Sequence, residues 1–206
     1  GDAYDGWKIL PEDLDANSVV YSFGIGEDAS FDLALMDRFE LTVHGFDPTP
    51  ESIEWIESQS LPSSFILHEY GIADHDGEVS FPPSEHPDQV YHSMLARPTA
   101  EAHAITVPVK SLPAILHELD HEHIDLLKMD IEGAEYEVIT SLCHSHLRPS
   151  QLLVAFHHRF PGIGNERSTI AIEQLREAGY QLHDISDSNE RFSFVHEDAL
   201  SLVLAS

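Results

Sequence analysis

Asp130, Glu132 and Glu135 follow the apolar run Leu126-Leu127-Lys128-Met129 and bracket Gly133. An apolar run that ends in acids, turns through a glycine and enters a helix sets those acids at the carboxyl end of a strand. Open α/β sheets build their ligand sites there. His157 closes the next apolar run, which begins at Leu152. Imidazole has the intrinsic pKa of a base for neutral pH. Asp130 can orient a hydroxyl, contact an amine, or bind a metal with His157. Asp130 and His157 are therefore the candidate catalytic pair. Glu132 is a candidate substrate contact, and Glu132 and Glu135 also suit the positive end of a helix dipole. His158 alternates to the opposite face.

A second block lies upstream. Ser22-Phe23-Gly24-Ile25-Gly26-Glu27-Asp28 separates an apolar run from a helical pattern. Its glycines permit a tight turn and a close backbone approach to a ligand. Asp47 ends the following apolar run, placed to accept hydrogen bonds from a ribose. Gly24-x-Gly26-x-x-Ala29 also meets the loose dinucleotide fingerprint. Charge discriminates between the two ligands. A dinucleotide rests its pyrophosphate at this helix N-terminus, where Glu27 and Asp28 repel it. S-adenosylmethionine (SAM) has no phosphate and carries a sulfonium cation, which these acids favour.

The elements that must hold these blocks read as follows. Runs at 19–25, 41–47, 65–72, 78–81, 105–109, 124–129, 152–157, 180–185 and 192–196 predict strands. Helical spacing covers 29–39, 50–59, 112–119, 134–143 and 168–178, with Pro50 at a first helical position. Strands alternating with helices predict a parallel sheet with right-handed crossovers. The last two strands have no helix between them and predict an antiparallel hairpin. Residues 1–206 read as a single domain, with an N-terminal extension over 1–18. Residues 82–104 are weakly patterned and read as a substrate loop or insertion. Tyr91, His92 and Arg97 there, with His158, Arg159 and Arg167 around the loop 160–167, are candidate acceptor contacts.

Residues 126–135 resemble the K-x-D-[VI]-E-G-A-E signature of the FkbM-type methyltransferases. The resemblance extends from about Val19 to the end. It includes the acid-Pro pair Asp47-Pro48, and residues 71–79 are similar to the family's segment around the third strand. It implies a Rossmann-like class I methyltransferase fold, α/β, with a mostly parallel seven-stranded sheet, helices on both faces and a C-terminal antiparallel hairpin. It implies SAM as cofactor, bound around Ser22, Gly24, Gly26, Glu27, Asp47, Ala73 and Asp130. The implied reaction is O-methylation of a sugar, polysaccharide or secondary metabolite. The chain departs from the family pattern at Ser22, Asp28 and Ala155. Two alternatives stay open: a nicotinamide (NAD)-linked oxidoreductase on a Rossmann sheet, and a non-catalytic binding protein of the same fold.

Composition narrows the partners. Of 206 residues, 37 are acidic and 10 basic, a formal net charge of −27. Such a field argues against nucleic acid and anionic membranes, leaving a small-molecule or glycan acceptor. It fits either an ordinary acidic enzyme or a protein adapted to a salty cytoplasm. No apolar run approaches the roughly 20 residues of a membrane helix. The first residues carry no signal-peptide pattern, and the single Cys143 reads as a small buried apolar residue in a reducing compartment. Together these predict a cytoplasmic location. The 15 histidines include His121, His123, His157 and His158, but no pair has a metal-ligand spacing, and spacing assigns no metal. Lys128, inside an apolar strand, is expected to reach an acid at the sheet end or extend to the rim.

Overall fold

The computed structural model describes residues 6–81 and 105–203. The segment 82–104, with Tyr91, His92 and Arg97, lies outside the described residues. A 3-10 turn at Pro11–Asp13 precedes β1 (Val20–Phe23), α1 (Ser30–Phe39), β2 (Val43–Phe46), α2 (Pro50–Ser58) and β3 (Phe65–His68). Then come β4 (Gly71–Ala73), β5 (Gly77–Phe81), β6 (Ile105–Ser111), α3 (Leu112–Leu119), β7 (Leu126–Met129) and α4 (Glu135–His144). The chain continues through β8 (Gln151–Ala155), α5 (Asn165–Glu177), β9 (Tyr180–Ile185), β10 (Arg191–His196) and α6 (Glu197–Val203).

Seven strands form one sheet in the order β3-β2-β1-β7-β8-β10-β9. The first five are parallel, and β10 runs antiparallel to both β8 and β9. The predicted hairpin is thus present. From β1 the chain builds outward to β2 and β3 on one side, then crosses to β7 on the other. The carboxyl ends of β1 and β7 therefore flank the switch point, where crossovers diverge and leave a crevice.

The strands are buried on both faces, which is why they read as continuous apolar runs. One face carries Val20, Val43, Phe65, Leu126 and Leu153 against Leu35, Met36 and Ile56 of α1 and α2. The other carries Tyr21, Phe23, Phe46, Leu127, Met129, Leu152 and Val154 against α3, α4 and α5. The extension before β1 is pinned to the sheet. Leu10 N–H donates to Gln151 Oε1 at 2.7 Å, and Gln151 Nε2 donates back to the Leu10 carbonyl at 2.9 Å.

Three departures from the sequence reading are structural. The predicted strand 65–72 is two strands. β3 stays in the main sheet, while β4 leaves it to pair with β6 in a small sheet of order β4-β6-β5. Helix α5 begins at Asn165, directly after Gly164 in a left-handed conformation. Helix α6 follows β10 without a break.

Candidate functional site

The glycine turn after β1 and the acidic turn after β7 touch. Gly24 has φ +76°, and a Cβ there would lie 1.8 Å from the Asp130 carbonyl oxygen. Only glycine gives both the left-handed backbone and the approach. Gly24 N–H donates to the Phe46 carbonyl and Asp130 N–H to the Phe23 carbonyl, each at 3.0 Å, so both turns hang from the strand ends. Gly26, φ +59°, faces open space on its Cβ side.

Asp47 shapes this loop. It is 4% exposed. Its Oδ2 accepts from Ile25 N–H and Gly26 N–H at 3.0 Å, and Oδ1 accepts from the N–H and hydroxyl of Thr49. A carboxylate has about four lone-pair sites, so all are taken. A ribose contact there would exchange one of these bonds. Asp28 accepts from Ser30 N–H at 2.9 Å before α1; the Ser30 hydroxyl, then this backbone bond, lowers its pKa. Glu27 is exposed at the turn.

Ser22 is not at the ligand surface as expected; it is fully buried beneath the turn. In the sheet it sits level with Lys128, and both side chains face α1, where Asp32 is also fully buried. Lys128, 5% exposed, donates from Nζ to the Gly24 carbonyl at 3.0 Å. Burial pushes the Asp32 carboxyl up, while Lys128 and the Ser22 hydroxyl favour its charged form. Neither Ser22 Oγ nor either Asp32 oxygen completes a hydrogen bond of normal geometry among the described residues. Lys128 thus anchors the backbone of the glycine turn and acts on Asp32 only through its charge.

Above this cluster the predicted pair comes together. Asp130 Oδ1 lies 3.5 Å and Glu132 Oε1 3.7 Å from His157 Nε2. On the other side of the ring, Glu135 is fully buried. Its Oε1 accepts from His157 N–H at 2.9 Å and lies 3.2 Å from Nδ1, while Oε2 accepts from Gly133 N–H at 2.9 Å. Glu135 was expected to serve the helix dipole. It stands in the first turn of α4 as that reading requires, and it also locks the β7 turn to the segment after β8. Glu132 holds a left-handed backbone at φ 54°, uncommon for a side chain with a Cβ.

Three carboxylates set the protonation of His157. Burial disfavours its imidazolium, but the Glu135 bond and the charges of Glu135, Glu132 and Asp130 outweigh burial and hold the ring at about 9. Within the protein's own side chains it is a proton donor at neutral pH, not a free base. Burial raises Glu132 to about 7, with His157 opposing and Asp130 and Glu135 adding to the rise. Acceptor capacity therefore rests with the carboxylates.

The other expected contacts scatter. Arg159 pairs with Glu190 at 3.1 Å and donates to the Ser188 carbonyl at 2.6 Å, which ties it to the β9–β10 connection. Arg167 pairs with Glu137 at 2.5 Å and stacks over Tyr136. His158 is half-buried after β8, and its carbonyl accepts from Gly164 N–H. Ala73 is buried in β4. Asp32 went unread although it shares a helical stripe with Leu35 and Met36, a position where an acid implies a buried partner.

This strand order, with a glycine turn and an acidic turn meeting at the switch point, defines the class I methyltransferase fold. A family model for the methyltransferase FkbM domain matches residues 16–182. The chain belongs to that family, and not to the nicotinamide-linked alternative. The probable methyltransferase-like protein 24 of Homo sapiens is 27% identical over 190 residues, covering 87% of this chain and 46% of that protein. Its Rattus norvegicus counterpart is 26% identical with the same coverage. The chain spans about half the length of these curated relatives. Among solved structures, a methyltransferase FkbM from Methylobacillus flagellatus has a TM-score of 0.55 at 14% identity, covering 89% of this chain and 44% of that one. The Methanococcus jannaschii fibrillarin pre-rRNA processing protein has a TM-score of 0.56 at 14% identity, covering 94% and 71%. At such identities these two share the fold.

The family implies SAM as methyl donor. The donor set fits a sulfonium ligand. Glu27 is exposed at the glycine turn and Asp130 and Glu132 are partly exposed at the acidic turn, while Lys128, the nearby cation, is turned onto the Gly24 carbonyl. No helix among the described residues is long and apolar enough to cross a membrane.

Proposed function

We propose that this chain transfers a methyl group from SAM to a hydroxyl oxygen of a small molecule or glycan. The observation that carries the reading is the backbone contact between Gly24 and Asp130, which puts the SAM turn and the acidic cluster side by side at the switch point. When bound, SAM supplies an electrophilic methyl on sulfur. The chain's own contribution is alignment, the larger share of catalysis in such a displacement. Gly24 and Gly26 let the backbone approach the donor, and Asp47 holds the loop in shape. Asp130 or Glu132 accepts the acceptor's O–H and takes up its proton as the oxygen attacks the methyl carbon and the carbon–sulfur bond breaks. His157, locked by Glu135, fixes the spacing of those carboxylates. Phe160 packs against the His157 ring at 4.8 Å between centroids and keeps water from that side.

Calorimetric titration with SAM, S-adenosylhomocysteine and NAD tests the cofactor. Both adenosyl ligands should bind and NAD should not, and Gly24→Ala should lose the binding. Methyl transfer from labelled SAM to hydroxyl-bearing sugars and polyketides tests the acceptor class. Absence of adenosyl binding at any salt concentration would overturn the reading.

A further inference from the structure

We propose that Asp130, Glu132 and His157 bind one divalent transition-metal cation, of the Mn2+ to Zn2+ series, beside the glycine turn. Each residue offers one ligand atom, and the three atoms lie within 4.8 Å of one another. Ligands on tetrahedral bonds of about 2.1 Å stand about 3.4 Å apart. The separations of 3.5 and 3.7 Å from His157 Nε2 to the two carboxylates lie within a few tenths of an ångström of that spacing.

The histidine makes this more than a group of acids. Metal-ligating imidazoles give their other ring N–H to a carboxylate, which fixes tautomer and orientation. Glu135 does this here. It is fully buried, meets Nδ1 at 3.2 Å, and is itself held by Gly133 N–H and His157 N–H. Nε2 is thereby aimed at Asp130 and Glu132. When a cation binds, the proton on Nε2 leaves to solvent and the nitrogen becomes a ligand.

The donor set also selects the ion. Imidazole with carboxylates favours Mn2+ through Zn2+ over Mg2+ or Ca2+, which take oxygen shells. Three protein ligands leave at least one position open, as in catalytic sites rather than structural ones. The role follows from the methyl-transfer reading and rests on it: an open position there would hold the acceptor's hydroxyl oxygen and make its proton easier to lose, to the unligated oxygen of Asp130 or Glu132. The site itself rests on geometry.

The test is Mn2+ titration of the chelator-stripped chain, followed by electron paramagnetic resonance and then Zn2+ competition. It is run in 0.5 M KCl to suppress diffuse binding to the acidic surface. The expected result is one site at least tenfold tighter than the rest, from which Zn2+ displaces Mn2+. Asp130→Asn and His157→Ala should weaken it at least tenfold, while His123→Ala, exposed and elsewhere, should not. Glu132→Gln, which preserves size, carries the test if His157→Ala does not fold. A chain with no site tighter than the diffuse ones, or with an undiminished site in those variants, overturns the proposal. Parallel S-adenosylhomocysteine titration separates the two readings. Adenosyl binding without a Mn2+ site leaves methyl transfer standing and ends the metal proposal. A Mn2+ site without adenosyl binding supports the site and overturns the methyl-transfer reading.

Discussion

Lys128 is where a single side chain does most for the shape of the site. Its ammonium donates to the Gly24 carbonyl and acts through space on the fully buried Asp32, with which it makes no direct ion pair, so removing it costs that carbonyl its donor and that acid its nearby cation. Losing a hydrogen bond from a charged donor costs roughly 1.5–3 kcal/mol, and leaving a buried acid without its nearby cation adds to that. Lys128→Met should therefore destabilise the chain by about 3 kcal/mol in urea unfolding, and Asp32→Leu should also destabilise it. The double variant should lose less than the sum of the two single losses, the non-additivity expected of residues coupled through space. Additive losses would mean that the two do not interact. The candidate site was largely legible, because Asp130 and His157 each stand at the end of an apolar run and Glu132 follows Asp130 by two residues. Three things were not legible. The role of Glu135 depends on which strand lies beside β7. The burial of Ser22 depends on its register with Lys128. The state of His157 depends on three carboxylates meeting one ring, and spacing along the chain carries none of this.

Elements explain the rest. β2 and β3 place His44 and His68 with Nδ1 and Nε2 3.0 Å apart, and His121, just after α3, stands edge-on to His44 and accepts or donates at 2.7 Å with the Tyr21 hydroxyl. Burial, then His68 and His121, pushes His44 down to about 4. Burial also lowers His68, with Glu118 opposing and Lys110 assisting, and lowers His121, with His123 assisting and Asp120 opposing. The folded protein keeps His44 neutral where the unfolded chain takes a proton. Its stabilising contribution is thus present above about pH 6.5 and is lost as pH falls toward 4, on the order of 1–2 kcal/mol by pH 5. The fall in Tm between pH 7 and pH 5 should be smaller in His44→Phe than in the parent chain, by about 4 °C. Equal falls would remove the histidines from the account. The fold was legible at the same scale: the parallel core and the closing hairpin follow from apolar runs alternating with helical spacing. The division of residues 65–72 was not, because β3 and β4 form one apolar stretch and only their different partners, β2 and β6, separate them. Helix α6 is short and follows a strand directly, so no turn residue announces it.

At the scale of the whole molecule the governing fact is a formal charge of −27 from 37 acids and 10 bases. One of those bases, Lys128, is buried and offsets nothing at the surface. Exposed pairs such as Lys110–Glu118, Arg159–Glu190 and Arg167–Glu137 use others, and such pairs contribute about 0–1 kcal/mol each. The remaining carboxylates repel one another across the surface, a cost borne by the compact state more than by the expanded chain. Salt acts on both terms. It weakens the few attractive pairs slightly and the many repulsions substantially, so the net effect is stabilising. The Debye length falls from about 30 Å at 0.01 M to about 10 Å at 0.1 M and about 3 Å at 1 M. Most of the gain should therefore come below about 0.5 M KCl, by which point neighbouring surface charges are screened. A gain from salt exclusion at the protein surface would instead keep growing with concentration. Thermal unfolding from 0.01 to 2 M KCl should show Tm rising steeply and then levelling, and the same profile is expected for a chain built for a salty interior. A flat profile would mean that the acids are spaced widely enough to coexist in dilute buffer, and the negative charge would then serve solubility without adaptation to salt.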